Sequence, residues 1–399
     1  MPGSGYGQMS DVVIIGGGIV GSATALHLKQ ADAALEVVVL EPDPTYAEAA
    51  TSRASGGVRQ LFSRPENIAL SQYTLDVIHA WPEIVGIDGQ PPPDLHWQRR
   101  GYLFIATPYD AETLAANLLV QREHGVRAEW LDPPAIEERY RAIHAADLGG
   151  GVLSPNDGWL DPHAFLQGLR AKARHLGSLF LEERALGVEV AVNGVRGVEL
   201  ASGHSLRADA VVNAAGCWAP ALAAAAGMPV PVEPMLRLEH TVDLPPDVLR
   251  ACAALPFVKD GHGLAIHPEG SGLSVGLVDF DAPGGFDTAA DPGYFERAVW
   301  PALVHRCPGL DRLRLHATSN GLYDQNRLDG NPVIGNWPGR LDNYYLACGF
   351  SGHGLMHAPG VGRALAELIL HGSYQTIDLE RLGYGRILRR EPYAERGIR

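Results

Sequence analysis

The chain has 399 residues, 46% of them hydrophobic and 20% charged, which is enough for two or three domains around a sizeable core and too apolar for disorder. Its 32 Lys+Arg against 46 Asp+Glu give a formal net charge of −14, which repels phosphate backbones and anionic lipid and so excludes nucleic acid and membrane surface as natural partners. Glycine is in excess, with 47 residues and no Gly-X-Y period, and an excess of this kind asks for loops in which backbone approaches a ligand closely.

Met1 to Gln8 lacks the basic start and apolar stretch of a signal peptide and reads as a tag remnant or an alternative start ahead of Met9. The first element is the strand Asp11-Val-Val-Ile-Ile15, followed by Gly16-Gly-Gly-Ile-Val-Gly21 and a helical run from Ser22 to Leu28. A second β-branched run, Val37 to Leu40, ends at Glu41. Together these form a βαβ unit about 30 residues long, which implies a parallel sheet. Gly16 permits the tight turn, and Gly18 lets the backbone approach a pyrophosphate. Ile19 and Val20 open the helix whose N-terminus faces the anion, Gly21 allows close helix–strand packing, and Glu41 would accept hydrogen bonds from ribose hydroxyls. This unit alone does not separate NAD from FAD.

After a break at Pro42 and Pro44, a polar segment runs from Thr51 to Gln60 and a helical pattern from Ile68 to Ala80. Pro91 to Pro93, a strand from Gly101 to Ala106 and an amphipathic helix from Ala111 to His124 have a different texture and read as an inserted module. Strands return at Val188 to Val190, Val195 to Leu200 and Ala210 to Asn213. The uncharged stretch Ala210 to Val232 is broken by Asn213, Gly216, Gly227 and prolines, so it is no membrane span. A second β-rich insertion holds alternating strands at Gly263 to His267 and Gly272 to Val278. The chain closes with a strand at Tyr344 to Ala347, the loop Gly349 to Gly354 and a helix from Val361 to Leu370. The expected division is a discontinuous nucleotide-binding domain (9–85, 145–231 and 317–385), a second domain (86–144 and 232–316) and a C-terminal tail (386–399). Cys217, Cys252, Cys307 and Cys348 are scattered, fit neither a disulfide scaffold nor a zinc pattern, and make a reducing cytoplasm the default.

Four segments in order carry a resemblance: the N-terminal unit, Thr51-Ser-Arg-Ala-Ser-Gly-Gly-Val-Arg59, Val211-Val-Asn-Ala-Ala-Gly-Cys-Trp218, and Asp329-Gly-Asn-Pro-Val-Ile-Gly335 followed by Gly349-Phe-Ser-Gly-His-Gly354. They resemble the FAD-dependent D-amino-acid oxidase superfamily, and within it the sarcosine oxidase and dimethylglycine dehydrogenase branch, over nearly the whole chain. The resemblance implies an α/β fold: a GR2-type Rossmann FAD-binding domain with an inserted antiparallel β-sheet substrate domain. It implies FAD as cofactor, with Ser52 and Arg53 reaching the pyrophosphate and Ser55, Gly56 and Gly57 passing close to a flat ring. Arg53 could equally be a solvated surface cation. The backbone of Ala185 would bind adenine, and Ala214 and Gly216 would pack over the cofactor near Gly335. Gly352, His353, Gly354, Leu355 and Met356 would face the flavin with a positive helix end, unless the loop is a plain helix entry.

Enzymes of this kind remove a hydride from the carbon beside an amine nitrogen, giving an imine that water hydrolyses, and need no metal. The expected substrate is an amino acid or N-alkylated amino acid, and the electron acceptor is oxygen or another carrier. Arg59 matches the arginine that binds the substrate carboxylate in sarcosine oxidases, and a guanidinium can do so bidentately. A structural ion pair or a pyrophosphate contact is the competing account. Tyr323 stands where glycine and D-amino-acid oxidases have an arginine, and is read as a pocket cap or as core. Met356 replaces a carboxylate-binding lysine, suggesting a bulkier or less anionic substrate. Gly321 replaces the cysteine that attaches flavin covalently, so non-covalent FAD is expected, and Ser274 aligns near an oxygen-activating lysine. His353 either contacts the ring edge or supports the loop. His267 either points into the pocket or is a satisfied core residue, and His262 and His357 are further titratable candidates. The alternatives are a flavin-dependent 2-hydroxy acid dehydrogenase, a subunit of a heteromeric amine or opine dehydrogenase with a partner chain, and a non-catalytic FAD-binding assembly protein.

Overall fold

The computed structural model describes residues 10–279 and 282–397; the expected start at Met9 and the segment before it lie outside the described residues. Two sheets organise the chain. The first runs in the order Val333–Trp337, Leu341–Cys348, Ser205–Asn213, Ser10–Ile15, Val37–Leu40 and Leu179–Leu181. Ser10–Ile15 pairs in parallel with both Val37–Leu40 and Ser205–Asn213, as the βαβ reading requires. Its parallel strands are joined by helical crossovers, so both faces of its centre are covered and Ser10–Ile15 and Val37–Leu40 are almost wholly buried and mainly apolar. Val12, Ile14, Val39 and Val212 pack on one face beneath the helices Ile19–Ala31, Pro162–His175 and Gly354–His371, while Val13, Ile15, Val38 and Val211 pack on the other beneath Ala219–Ala225.

The second sheet runs in the order Arg314–Asn326, Val232–Asp243, Gly272–Leu277, Leu264–Glu269, Phe257–Asp260, Tyr102–Ala106, Gly150–Ser154 and Glu129–Leu131. It is antiparallel except where Phe257–Asp260 lies parallel to Tyr102–Ala106. Its register sorts the side chains into two faces. Leu103, Val258, Ile266 and Val275 lie in one row and pack under the helices Pro133–Arg139, Pro246–Cys252 and Trp300–Arg306. Phe104, Lys259, Ala265, Gly276 and Glu239 form the adjacent row and face the opposite way.

Three expected boundaries move. Gly150–Ser154 lies in the segment expected for the first domain, yet it pairs with Tyr102–Ala106. The boundary at 316 falls inside Arg314–Asn326, which pairs with Val232–Asp243 along its whole length, because a long ladder leaves no natural break at that point. Residues 386 onward do not trail: Arg386 is buried on Asp329, and the Glu395 carboxylate accepts hydrogen bonds from Ser63 and Asn67. No helix among the described residues is long and apolar enough to cross a membrane.

Candidate active site

One cavity runs from the carboxyl ends of the central strands of the first sheet to the Phe104–Glu239 face of the second. At the first end, the Gly16 turn follows Ser10–Ile15, and a Cβ at Gly21 would sit 1.9 Å from the Gly16 carbonyl oxygen, so only glycine lets this helix start so close to the strand. Gly18, Ile19 and Val20 line the cavity at the N-terminus of Ile19–Ala31. Glu41 accepts from the Gly17 N–H at 3.0 Å and from the Asp43 N–H at 3.0 Å, and burial raises its pKa. It thus holds the glycine turn as well as facing the cavity. Thr51 Oγ1 accepts from the Ile19 N–H at 3.2 Å.

The far end is built on the loop before Gly354–His371. Asp324 accepts from the Gly349 N–H at 2.7 Å, fixing the loop to the strand Arg314–Asn326, and burial raises its pKa to about 6. Gly354, Leu355 and Met356 present a second helix N-terminus to the same cavity. Arg59 enters from the short strand Gly57–Val58 and is 1% exposed. It donates through Nη1 to the Leu61 carbonyl at 2.7 Å and through Nη2 to His353 Nε2 at 3.0 Å, and it lies over the Phe62 ring at 4.0 Å and the Phe104 ring at 4.9 Å. A guanidinium has no acceptor, so this contact makes Nε2 the accepting atom and puts the His353 ring proton on Nδ1. Among the described residues no carboxylate pairs with Arg59 within ion-pair distance.

The second sheet supplies the wall. Tyr102 and Phe257 stack with ring centroids 4.3 Å apart, and His267 stacks on Phe257 at 4.7 Å. His267 Nδ1 lies 3.1 Å from the Pro268 carbonyl, which can only accept, so Nε2 is the basic nitrogen of the neutral ring. That Nε2 is buried, has no hydrogen-bond partner and stands 3.9 Å from Glu239 Oε1. Ser274 Oγ also donates to Glu239. Lys259 faces the same space, and burial together with the neighbouring Arg59 charge brings its pKa down to about 7. Arg237, above the Tyr323 ring at 5.2 Å, donates to the Leu236 carbonyl.

A family model described as FAD dependent oxidoreductase, DAO type, matches residues 11–368. The chain belongs to the DAO family. Among curated relatives, this DAO-family chain is 33% identical to FAD-dependent oxidoreductase domain-containing protein 1 of Xenopus laevis, over 98% of this chain and 85% of the relative. It is 28% identical to human mitochondrial sarcosine dehydrogenase over 91% of its own length but only 40% of that protein. Among solved structures, L-proline dehydrogenase from P. horikoshii superposes with a TM-score of 0.85 at 27% identity, covering 96% of this chain and 99% of that one.

The cavity of the DAO-family chain suits FAD, the family's cofactor. Two helix N-termini open into it where negative charge would lie. Gly216, at φ +53, has nothing within 4 Å of where a Cβ would stand, so the cavity reaches its backbone. Of the residues expected from sequence, Gly16, Gly18, Ile19, Val20, Glu41, Arg53, Ser55, Gly56, Gly57, Arg59, Ala185, Ala214, Gly216, His267, Tyr323, Gly352, His353, Gly354, Leu355 and Met356 all line it. Arg53 does so from an exposed position, donating to the Ala47 carbonyl at 2.9 Å. Gly21 packs beneath the turn instead of lining the cavity.

Ser52 and Gly335 are corrections. Ser52 does not line the cavity and its Oγ is buried without a partner, because the 3₁₀ turn Ala50–Arg53 points Thr51 inward and rotates its neighbour away. Gly335 sits on the outer strand Val333–Trp337, where a Cβ would meet the Tyr374 hydroxyl at 2.9 Å. Thr51, Tyr102, Arg237, Glu239 and Lys259 were not singled out from sequence. Polar residues alternating along Val232–Asp243 offered a faint signal for Arg237 and Glu239, while nothing local marks Lys259.

Proposed function

We propose that this chain oxidises the C–N bond of an amino acid or N-alkylated amino acid, using FAD held without a covalent link. The observation that carries the reading is Arg59, a buried guanidinium that faces the cavity with no carboxylate partner among the described residues. Burying such a charge unpaired costs several kcal/mol, a cost that an incoming carboxylate offsets. Non-covalent attachment is supported at two positions. A side chain at Gly321 would collide with Arg53 Cβ at 2.8 Å, and the cavity-lining Cys217 thiol is kept protonated by burial, its pKa raised to about 12.

In this reading Arg59 fixes the carboxylate end of the substrate, and His353 fixes Arg59. The amine must be neutral when the C–H bond breaks, and His267 Nε2 takes its proton while Glu239 stabilises the resulting imidazolium. Bound FAD supplies the acceptor for the hydride leaving the substrate carbon. The Tyr102, Phe257 and Tyr323 rings keep water from that carbon, and water adds to the imine afterwards.

The test is anaerobic bleaching of the visible flavin absorbance with a panel of N-methyl amino acids, amino acids of both hands and 2-hydroxy acids. An amine donor should bleach the wild type, and Arg59→Met should raise its KM about 100-fold, equivalent to about 3 kcal/mol, with FAD content retained. Acid precipitation should leave the colour in the supernatant. Bleaching by hydroxy acids alone, or by no donor, would overturn the reading.

A further inference from the structure

We propose that Lys259 is the second cation of the substrate site, holding the same carboxylate as Arg59 from the wall of the second sheet; the assignment rests on the amino-acid reading above. Sequence points the other way, because Met356, buried and apolar, stands after the Gly-His-Gly loop in place of a carboxylate-binding lysine. The fold brings a cation to the cavity by another route.

The register places Lys259 directly opposite Phe104 on one side and Ala265 on the other. Arg59 lies over that same Phe104 ring at 4.9 Å, so the two cations flank one side chain. Beyond Ala265 the row continues through Gly276 to Glu239. A Cβ added at Gly276 would meet only the Leu238 carbonyl oxygen, at 3.7 Å. The row is therefore a trough floored by Ala and Gly, with a lysine at one end and a carboxylate at the other, three strand spacings or about 14 Å apart. A zwitterionic amino acid fits that polarity in one direction only, carboxylate toward Lys259 and Arg59, nitrogen toward Glu239 and His267.

Other partners for Lys259 are accounted for. Asp260 accepts from the His262 and Leu264 N–H groups at 2.9 Å each, and Glu239 is engaged with Ser274. Among the described residues, Lys259 has neither a hydrogen bond nor an ion pair. Arg237 also lines the cavity; its Nη1 and Nη2 donate to the Leu236 and Asp279 carbonyls and to Gln325, while its Nε is buried without a hydrogen-bond partner among the described residues. Burial first, and then repulsion from the Arg59 charge, lower the pKa of Lys259. A bound carboxylate offsets the repulsion part of that shift.

The test uses the FAD-loaded protein and radiolabelled acetate in equilibrium dialysis, with acetamide as the neutral control. Lys259→Met should weaken acetate binding by about tenfold or more and leave acetamide unaffected, while Lys259→Arg should stay within about threefold of wild type. FAD content and melting temperature establish that each variant is folded. If Arg59→Met abolishes acetate binding and Lys259→Met leaves it unchanged, the Lys259 assignment falls and the amino-acid reading stands. If neither variant changes acetate binding, both fall.

Discussion

A buried arginine changes the chemistry of every ring beside it. His353 is held in one tautomer by donation from Arg59, so its contribution is to position the guanidinium. His357, one helical turn further on, is 0% exposed, with both ring nitrogens buried and unpartnered. Desolvation, and secondarily the Arg59 charge, lower its pKa to about 3. In the unfolded chain it takes up a proton near pH 6.5, so between those values only the unfolded state is protonated and stability is lost as pH falls. His357→Leu breaks no hydrogen bond and removes this loss. Relative to wild type the variant should gain up to about 3 kcal/mol between pH 7 and pH 4 in urea unfolding. Parallel stability curves would refute it. The comparison must be between the two proteins, because the raised pKa values of Asp157 and Asp324, each about 6, act in the opposite direction over part of the range. Arg59 could be selected from its motif, but the histidine roles could not, since tautomer and pKa depend on neighbours distant in the chain.

At the scale of elements, the loop from Gly349 and the helix Gly354–His371 join the cofactor side to the substrate side. The helix was expected from Val361, although Gly354, Pro359 and Gly360 precede that point inside it. It begins seven residues earlier because Pro359 costs a single backbone bond, and Gly360 and Gly362 gain close packing: a Cβ there would stand 2.8 Å from Leu70 and 2.6 Å from Ala23. Tertiary contact thus outweighs local propensity. Gly352 is fixed more strictly, at φ +94 with a Cβ position 2.4 Å from the Tyr323 ring. Gly352→Ala should therefore displace Tyr323 and lower FAD retention on gel filtration. Gly372→Ala, at φ +71 in open space at the far end of the same helix, should cost about 1 kcal/mol of stability and leave FAD retention unchanged. Equal FAD retention in the two variants would show that the loop geometry is not coupled to the cofactor.

Across the whole molecule, the C-terminal segment closes the structure back onto its beginning. Arg386 is buried against Asp329, with Nε to Oδ2 at 2.8 Å, and donates to the Asn331 and Pro332 carbonyls. Asp329 also accepts from the Tyr393 N–H at 2.9 Å, and Glu395 reaches the segment that follows Arg59. Arg386→Ala leaves a buried carboxylate without its cation and should cost about 3–5 kcal/mol in denaturant unfolding. A loss below about 1 kcal/mol would mean the network is slack. The sequence by itself determined the βαβ nucleotide unit, the family and its cofactor, and it singled out Arg59, which the fold places in the cavity. These are written in local spacing: glycines after a strand, an acid after the next, an arginine at the end of a motif. Only the tertiary structure decided that Thr51 and not Ser52 faces the cavity, that residues 386 onward are structural, and that Lys259 and Glu239 bound one trough. Those facts depend on strand register and on which face of the second sheet is left uncovered, and register is set by pairing between residues far apart in the chain.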